Sequence, residues 1–365
     1  MPFYWRLSES GAEVPGIPAR LPFRVTRNEE LDFLEYQPTD AEWEAITLAY
    51  RQNENIGFVN PESGQIETYG SSVNRFFRDV IADVAPTRIY EVGCGAGFSI
   101  QFLRDHGFRV TGIDPSDYSR QWSERLGFPL VNEFFTGDLL SGEADLIFCN
   151  DVFEHVRGVE QFSRDVWTSL RPGGTFCFST TNSTQSIAIG DVSMFEHQHV
   201  NMFTTRSIRL ILAAAGFSES QIGAGSYGNT FHVVARKGEG RRAAVDVPPA
   251  SCDEFVERAD GRLRAFESFY AAAAERCQFY VPLRCIPYLA AVGDFGESDL
   301  YDSNAAWRGK RIDGYARPLK SMVDLPTARG DTFVIGSRTF HEEIKRTLVE
   351  HGILESRIFA IADLG

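Results

Sequence analysis

The stretch RIYEVGCGAGFSI, residues Arg88–Ile100, decides the fold of this chain. It begins with β-branched and aromatic residues, which predict a strand, and it continues with glycines at alternate positions, Gly93, Gly95 and Gly97. Glycine has no side chain, so a turn of this composition lets the backbone approach a nucleotide-like ligand closely. The stretch therefore predicts a strand, a ligand-binding turn and then a helix.

Strands and helices alternate from about residue 60 to residue 237. The predicted strands are Arg88–Val92, Arg109–Ile113, Asp145–Cys149, Thr175–Ser179 and Thr230–Ala235. The predicted helices are Ser99–His106, Ser116–Leu126, Val159–Leu170 and Thr205–Ala215, and the glycines expected to cap their C-termini are Gly107, Gly127, Gly173 and Gly216. Such alternation predicts an α/β fold, with a parallel sheet covered by helices on both faces.

Two ligand classes fit the glycine turn: a dinucleotide and S-adenosylmethionine (SAM). The dinucleotide pattern G-x-G-x-x-G would place a glycine where this chain has Phe98. Glu91 lies at the end of the strand, directly under the turn, and would repel a pyrophosphate by roughly a few kcal/mol. SAM carries no phosphate, and its ammonium and sulfonium groups are attracted to a carboxylate. Glu91 therefore favours SAM.

A second acid follows where a nucleotide ligand needs one. The next strand, FRVTGID, ends in Asp114, where a carboxylate accepts hydrogen bonds from ribose hydroxyls. Both ligand classes share this feature, so Asp114 alone does not discriminate between them. A tight strand–helix turn without any ligand is the remaining alternative, and the ordered series of strand, acid, three glycines, helix and second acid disfavours it.

Over about residues 60–237 the chain resembles a class I SAM-dependent methyltransferase. The resemblance is carried by YEVGCGAG, by GEADLIFCNDVFEHV and by SLRPGGTFCFST. It implies a doubly wound, mostly parallel sheet of seven strands. The cofactor-binding residues that it implies are Glu91, Gly93, Cys94, Gly95, Gly97, Asp114, Pro115, Phe135, Asp138, Asn150, Asp151 and Val152. Phe135 and Asp138 would flank the adenine, and the residues from Asn150 to Val152 would border the methionine part. His155 would help to fix a helix start, with a catalytic role left open.

The whole chain is similar to three-part methyltransferases that act on nucleotide-linked deoxysugars. That resemblance implies an N-terminal extension (1–60), a SAM domain (61–237), a linker (238–251) and a smaller Rossmann-like domain (252–365). The zinc-ribbon cysteines of those enzymes are absent, so no metal is expected. Where their C-terminal domain has a glycine turn, this chain has PLRCIP, with Pro282 and Arg284. The C-terminal domain is therefore predicted to be a scaffold or a wall of the acceptor site.

The segment MFEHQHVNMFT (Met194–Thr204) holds the candidate catalytic residues. Glu196, His197 and His199 stand together there, and a histidine with a pKa of about 6.5 suits proton transfer from an acceptor. By resemblance, sugar C-methyltransferases carry Tyr-His-Glu-His at this point, and Tyr69 would also border the acceptor. Two of the four positions match, so O-methylation stays as open as C-methylation. The alternatives are a surface turn, a fortuitous metal-binding arrangement, or a pair that braces a lid.

Composition limits the partners. The formal net charge is −14, so no nucleic acid is expected, and no apolar run approaches the roughly 18 residues that span a bilayer. The six cysteines are scattered, which favours a cytoplasmic protein. The prediction is a methyltransferase for a sugar or sugar nucleotide, with a homodimer left open. The alternatives are an O-methyltransferase of another small metabolite, an NAD-linked oxidoreductase and a non-catalytic binding protein.

Overall fold

The computed structural model describes most of the chain outside its first residues and several loops. The described residues are 16–52, 71–225, 229–238, 252–273, 277–280, 282–293, 298–303, 307–312, 315, 317–327, 331–338 and 340–364. The predicted catalytic Tyr69 lies outside them. Within the described residues, no helix combines the length and the apolar character needed to cross a bilayer.

The helices and strands follow in chain order. The strands are β1 (Val25–Asn28), β2 (Phe33–Tyr36), β3 (Ile89–Val92), β4 (Val110–Ile113), β5 (Leu130–Val131), β6 (Ala144–Asn150), β7 (Leu170–Thr181), β8 (Asn201–Met202), β9 (Glu219–Ala224), β10 (Thr230–Arg236), β11 (Cys277–Tyr280), β12 (Leu300–Asp302), β13 (Lys320–Ser321), β14 (Thr332–Ile335) and β15 (Ile358–Ala360). The helices are α1 (Asp40–Gln52), α2 (Ser72–Val84), α3 (Phe98–Asp105), α4 (Asp117–Leu126), α5 (Val159–Ser169), α6 (Thr184–Ile189), α7 (Thr205–Ala215), α8 (Phe255–Ala273), α9 (Pro282–Val292) and α10 (His341–Glu350).

The central sheet has seven strands in the order β5-β4-β3-β6-β7-β10-β9. The first five run parallel, and β10 runs antiparallel to both of its neighbours. β6 is buried along almost its whole length, as a strand covered on both faces must be. The predicted α/β fold with a mostly parallel, seven-stranded sheet is confirmed.

The five strands predicted at named residues lie close to observed strands of this sheet, and β5 and β9 complete it. β7 begins at Leu170, directly after α5, so Gly173 is a strand residue with φ 76° and does not cap a helix. Helix α2 was not predicted. Ser71 caps it by accepting a hydrogen bond from the N–H of Asn74 at 3.3 Å.

The N-terminal extension forms a small sheet that is not self-contained. β1 and β2 make an antiparallel hairpin, and β2 also pairs with β8, which comes from the middle of the chain. Helix α1 begins with a capping box formed by Thr39 and Glu42, a spacing that can be read from the sequence. Thr39 N–H donates to Glu42 Oε2 at 2.7 Å, and Glu42 N–H donates to Thr39 Oγ1 at 3.3 Å.

The C-terminal residues form a second sheet of five parallel strands, in the order β13-β12-β11-β14-β15. The Rossmann-like assignment of this unit stays a prediction. The segment PLRCIP was predicted as a loop and is instead the first part of α9, where Pro282 is tolerated because the first turn needs no intrahelical N–H bond. The last helix begins at His341, and its predicted cap, Thr339, lies outside the described residues.

The C-terminal unit packs closely on the segment that follows β7. Ile187, Val192 and Phe195 share one hydrophobic core with residues of α8, α9 and β11. A side chain at Gly190 would place its Cβ 2.5 Å from the backbone N of Ala259 in α8. Glycine at this position therefore lets the two backbones touch.

Asp145 at the start of β6 is expected to be a major contributor to stability. Its buried carboxylate accepts hydrogen bonds from Thr87 N–H at 2.9 Å, Thr87 Oγ1 at 2.7 Å and Arg88 N–H at 2.8 Å, and it pairs with Arg171. Burial raises the pKa of Asp145, but the bonds from Arg171, Thr87 and Arg88 outweigh it and hold the pKa below its usual value. Asp145→Asn should lower the free energy of unfolding by about 2–3 kcal/mol at neutral pH.

The pH dependence of the free energy of unfolding tests this prediction. A carboxyl whose pKa is depressed by folding stabilises the protein above its unfolded pKa of about 3.9 and loses this effect as the pH falls toward the folded value. Urea unfolding should therefore show wild type and Asp145→Asn converging below about pH 4. Asp260→Asn, at an exposed site on α8, is the matched control and should unfold like wild type. A constant difference between the curves at all pH values would contradict the assignment.

Candidate functional site

The three glycines of the turn between β3 and α3 have different neighbours. All have positive φ, at 71° for Gly93, 50° for Gly95 and 71° for Gly97. A Cβ on Gly93 would lie 2.4 Å from Val152, and one on Gly97 would lie 2.3 Å from the ring of Phe128. A Cβ on Gly95 meets no atom of the described residues within 4 Å. Neighbouring side chains therefore fill the space beside Gly93 and Gly97, whereas the space beside Gly95 is open.

Asp114 holds the turn in place from the end of β4. Its Oδ2 accepts from Gly95 N–H at 3.0 Å, and its Oδ1 accepts from Ser116 N–H at 2.9 Å and Ser116 Oγ at 2.6 Å. Asn132 Nδ2 donates to the carbonyl of Asp114 at 2.8 Å and was not predicted as a site residue. Nothing in a single Asn of a polar loop signals this role. The two predicted ligand-binding elements, the turn and the second acid, are therefore joined directly.

Glu91 is buried beneath the turn. Its side chain is 3% exposed, and its Oε2 has no hydrogen-bond partner among the described residues. Burial raises the pKa of Glu91 well above its usual value, although a hydrogen bond from Ser99 opposes this, and the nearby Asp114 adds to it. A buried carboxylate oxygen without a partner fits a ligand that brings a cationic group, such as the ammonium of SAM.

The residues that follow β6 lie at the same edge of the sheet. Asp151 has φ 50°, unusual for a residue with a side chain, and such strain collects at functional sites. Its N–H donates to Ser179 O at 3.1 Å. Asn150 Nδ2 donates to Asp151 Oδ2 at 3.3 Å, and Val152 fills the space beside Gly93. The predicted methionine-side residues therefore meet the glycine turn.

The other predicted cofactor-binding residues differ in how far their side chains are exposed. Phe135 is half-buried and packs on Phe162 with 5.6 Å between ring centroids, while Asp138 is exposed. Pro115 is half-buried at the end of β4. The side chain of Cys94 is buried against Gly112, where an added Cβ would lie 2.6 Å from its sulfur. Only the backbone of Cys94 can face a ligand.

Two of the predicted catalytic residues form a charged pair. His199 Nε2 lies 2.6 Å from Glu196 Oε1, and Arg284 Nη1 of α9 donates to Glu196 Oε2 at 3.4 Å. Burial lowers the pKa of His199, but the Glu196 carboxylate more than offsets this, and the result is a pKa above the usual value. Burial would raise the pKa of Glu196, yet His199 and Arg284 hold it well below its usual range. The pair thus favours a protonated imidazole beside a carboxylate.

Glu154 and His155 lie beside this pair. His155 Nδ1 donates to the carbonyl of Gln198 at 2.9 Å, and its ring centroid is 4.7 Å from that of His199. Burial, helped by the charge on His199, lowers the pKa of His155 to about 3, so this imidazole is neutral. Glu154 is 1% exposed, accepts from Thr180 Oγ1 at 2.9 Å, and has a pKa raised by burial to about 7. Glu154 was not among the site residues predicted from the sequence.

His197 points away from this group, contrary to its prediction as a catalytic residue. Its buried ring donates from Nε2 to Leu21 O at 3.1 Å and packs edge-on against Phe23 and Tyr36. The backbone of this short segment turns one histidine toward the N-terminal sheet and the other, His199, toward the C-terminal unit. His197 therefore braces the N-terminal extension.

A cavity of about 230 Å³ opens beside His199. It lies between the carboxyl end of β7, the segment after it, and the C-terminal unit, which contributes Arg284 and Arg338. Arg338 Nη2 donates to Asn229 Oδ1 at 2.8 Å. Hydroxyl and amide side chains dominate the remaining wall, among them Thr181, Asn182, Ser183, Ser193, Asn229 and Thr230. The cavity is polar and carries two guanidinium groups.

Comparison with known proteins identifies the domain that holds this site. Residues 63–220 match the sequence profile of a methyltransferase domain. Ubiquinone biosynthesis O-methyltransferase of Methylocella silvestris is 38% identical over 104 residues, which are 27% of this chain and 41% of that protein. The enzyme of the same name from Rickettsia felis is 27% identical over 125 residues, 32% of this chain and 50% of that protein. The chain spans half or less of the length of these relatives.

Solved structures give weaker overall matches. 1,6-Didemethyltoxoflavin-N1-methyltransferase of Burkholderia thailandensis, with bound 1,6-didemethyltoxoflavin and S-adenosylhomocysteine, is 17% identical at a TM-score of 0.41, covering 59% of this chain and all of that one. An S-adenosylmethionine-dependent methyltransferase from Mesorhizobium loti is 18% identical at a TM-score of 0.35, covering 43% of this chain and 96% of that one.

Residues 63–220 are therefore a methyltransferase domain, and this segment contains the glycine turn and both acids. The prediction of a SAM-dependent methyltransferase is confirmed for this domain, and so is SAM as its cofactor.

Proposed function

We propose that the protein is a SAM-dependent O-methyltransferase for a small, polar, hydroxyl-bearing metabolite. The observation that carries the proposal is the polar cavity at the carboxyl edge of the methyltransferase sheet, lined by His199, Arg284 and Arg338. The names of the relatives, which are O-methyltransferases, support oxygen as the methylated atom.

The cofactor side of the reaction is supported by the buried acid and the open glycine. Glu91 would pair with the ammonium of SAM, Asp114 would accept from its ribose, and Gly95 leaves room for its body. When bound, SAM would supply a methyl group from its sulfonium sulfur. The acceptor hydroxyl oxygen would bond to the methyl carbon as the carbon–sulfur bond breaks, S-adenosylhomocysteine would leave, and the hydroxyl proton would pass to water.

The acceptor side follows from the neighbourhood of the two strand ends. β6 and β7 are adjacent, with Asn150 opposite Ser179, and the cavity begins at Thr181, two residues further along β7. A molecule in the cavity would therefore lie next to the cofactor residues after β6. Residues that follow β7 would contact this acceptor on one side, and residues of the C-terminal unit would enclose it on the other.

A sugar or sugar nucleotide is a second candidate acceptor, and the wall of the cavity favours it. Serine, threonine and asparagine side chains suit a polyhydroxylated ring, and two guanidinium groups suit a phosphate or carboxylate. The protein is accordingly proposed to act on a polar acceptor, in the cytoplasm and without nucleic acid or membrane partners.

The experiment that tests the proposal is a transfer assay on the purified full chain. Unlabelled SAM is incubated with a panel of catechols, hydroxy acids and sugar nucleotides, and S-adenosylhomocysteine and a 14-dalton mass gain are followed together. A product methylated on oxygen is the expected result. Binding of S-adenosylhomocysteine without transfer to any acceptor would favour the non-catalytic alternative.

Arg338 should set the preference for anionic acceptors. Arg338→Met keeps the length of the side chain and removes its charge, so KM for an acceptor with a phosphate or carboxylate should rise about 10-fold, with KM for SAM unchanged. Arg346→Met, on the exposed face of α10, is the control and should leave both constants as in wild type. Equal effects of both changes, or a rise in the KM of SAM, would contradict this role.

A further inference from the structure

We infer that Glu154, His155 and His199 form a binding site for a divalent transition-metal cation beside the acceptor cavity. One ligand atom of each residue lies within 4.8 Å of those of the other two. Two imidazoles and one carboxylate are a common ligand set for Mn²⁺, Fe²⁺ or Zn²⁺. The sequence led to the prediction that no metal binds, because the zinc-ribbon cysteines are absent.

Each of the three side chains is oriented by a further hydrogen bond, as metal ligands are. Because His155 Nδ1 donates to the carbonyl of Gln198, the lone pair that this ring can offer to a cation is on Nε2. Glu196 accepts a hydrogen bond from His199 Nε2, so a cation would bind at Nδ1 of His199 and displace the proton that this nitrogen carries when the imidazole is charged. Thr180 Oγ1 donates to Glu154 Oε2. Carboxylate–histidine pairs and carbonyl-bound histidines are the usual outer contacts of metal sites.

The three side chains must close in around a cation. Neighbouring ligands of a tetrahedral divalent ion, each at about 2.1 Å, lie roughly 3.4 Å apart. The ligand atoms lie within 4.8 Å of one another, so we expect the side chains to move inward when a cation binds. Asp151 interacts electrostatically with His199 and Glu154, so a further carboxylate adds negative charge near the site.

Access to the site comes from the acceptor cavity. Glu154 is buried beneath the cluster, whereas His199 forms part of the cavity wall. A cation held by the three residues would therefore keep open positions on the side that faces the acceptor. A site with protein ligands on one side and an open side is typical of metals that bind substrate.

The role of the cation rests on the proposed O-methyl transfer. Coordination of an acceptor hydroxyl would lower its pKa, so that its proton passes to water in the cavity and the oxygen can take the methyl group. His199 and His155 would then act as metal ligands, and His199 would not act as the base.

Binding of the metal alone tests the site without an acceptor. The purified full chain is stripped with EDTA and titrated with Mn²⁺, and the free ion is measured by electron paramagnetic resonance. One ion per chain is expected. His199→Asn and Glu154→Gln should each weaken binding at least 50-fold, and Glu196→Gln should weaken it about 10–100-fold through loss of the outer contact. Binding of S-adenosylhomocysteine and circular dichroism report whether each variant is folded.

The matched control is a surface histidine with a glutamate partner. His341 Nε2 lies 3.2 Å from Glu342 Oε1 at the start of α10, and His341 does not itself line the cavity, so His341→Asn should bind Mn²⁺ like wild type. No binding by wild type up to 1 mM Mn²⁺ or Zn²⁺ (about 4 kcal/mol), or wild-type affinity in His199→Asn or Glu154→Gln, would overturn the inference. Methyl transfer by the metal-free protein would support the proposed function and overturn the role of the cation. Metal binding without methyl transfer to any acceptor would support the metal site and overturn the proposed function.

Discussion

Gly95→Leu should lose binding of S-adenosylhomocysteine by at least about 100-fold, or about 2.7 kcal/mol, in a protein that stays folded. A Cβ at this position meets no described atom within 4 Å, so the leucine side chain would enter the space assigned to the ligand. The change also places a side chain at φ 50°, which costs about 1–2 kcal/mol of stability. Isothermal titration calorimetry measures the affinity, and thermal unfolding measures the stability.

Gly127→Leu separates these two effects. Gly127 ends α4 with φ 67° and ψ 37°, and a Cβ there also meets no described atom within 4 Å. It therefore carries a similar backbone cost at a position outside the candidate site. We expect Gly127→Leu to unfold at a temperature like that of Gly95→Leu and to bind S-adenosylhomocysteine normally. Unchanged affinity in Gly95→Leu would remove the turn from the cofactor site.

Glu91→Gln should weaken SAM binding by about 10–100-fold, or about 1.5–3 kcal/mol, with little change in shape. Glu91 is buried and its Oε2 has no partner among the described residues, so a cationic ligand group would supply the partner of this oxygen. Glutamine fills the same space and offers no negative charge. Glu133→Gln, on the exposed loop after β5, changes the net charge equally and should bind SAM like wild type.

The pH dependence of this binding has a defined sign. Burial raises the pKa of Glu91 in the ligand-free protein, and a cationic ligand would lower it again, so binding releases a proton. Affinity should therefore increase as the pH rises toward the ligand-free pKa, and this increase should vanish in Glu91→Gln. Calorimetry in buffers of different ionisation enthalpy detects the proton directly. The same slope in both proteins would contradict the role of Glu91.

The sequence was most informative where one local pattern determines one structure. The strand, three glycines and two acids of the turn could be predicted because glycine spacing and an acid at a strand end have few alternative explanations. Helices α5 and α7 begin at their predicted residues, and α4 begins one residue later than predicted, since apolar periodicity and caps act locally.

Features that depend on distant partners could not be predicted. The orientation of His197 depends on Leu21, which lies 176 residues away in sequence. The orientation of His199 depends on Glu196, whose other partner, Arg284, lies 88 residues from Glu196. Glu154 looks like one more charge in a helical segment until Thr180 is placed beside it. The segment PLRCIP contains two prolines and still forms a helix, because packing against the rest of the C-terminal unit outweighs local preference.

Segment 184–202 contributes strand β8 to the N-terminal sheet and Ile187, Val192 and Phe195 to the core of the C-terminal unit. A fragment cut at residue 238 would leave these three apolar side chains facing water, and one cut at residue 60 would leave β8 without a strand to pair with. Neither boundary therefore separates parts that could fold independently. Segment 184–202 contacts both the N-terminal sheet and the C-terminal unit, and so it joins all three parts of the chain.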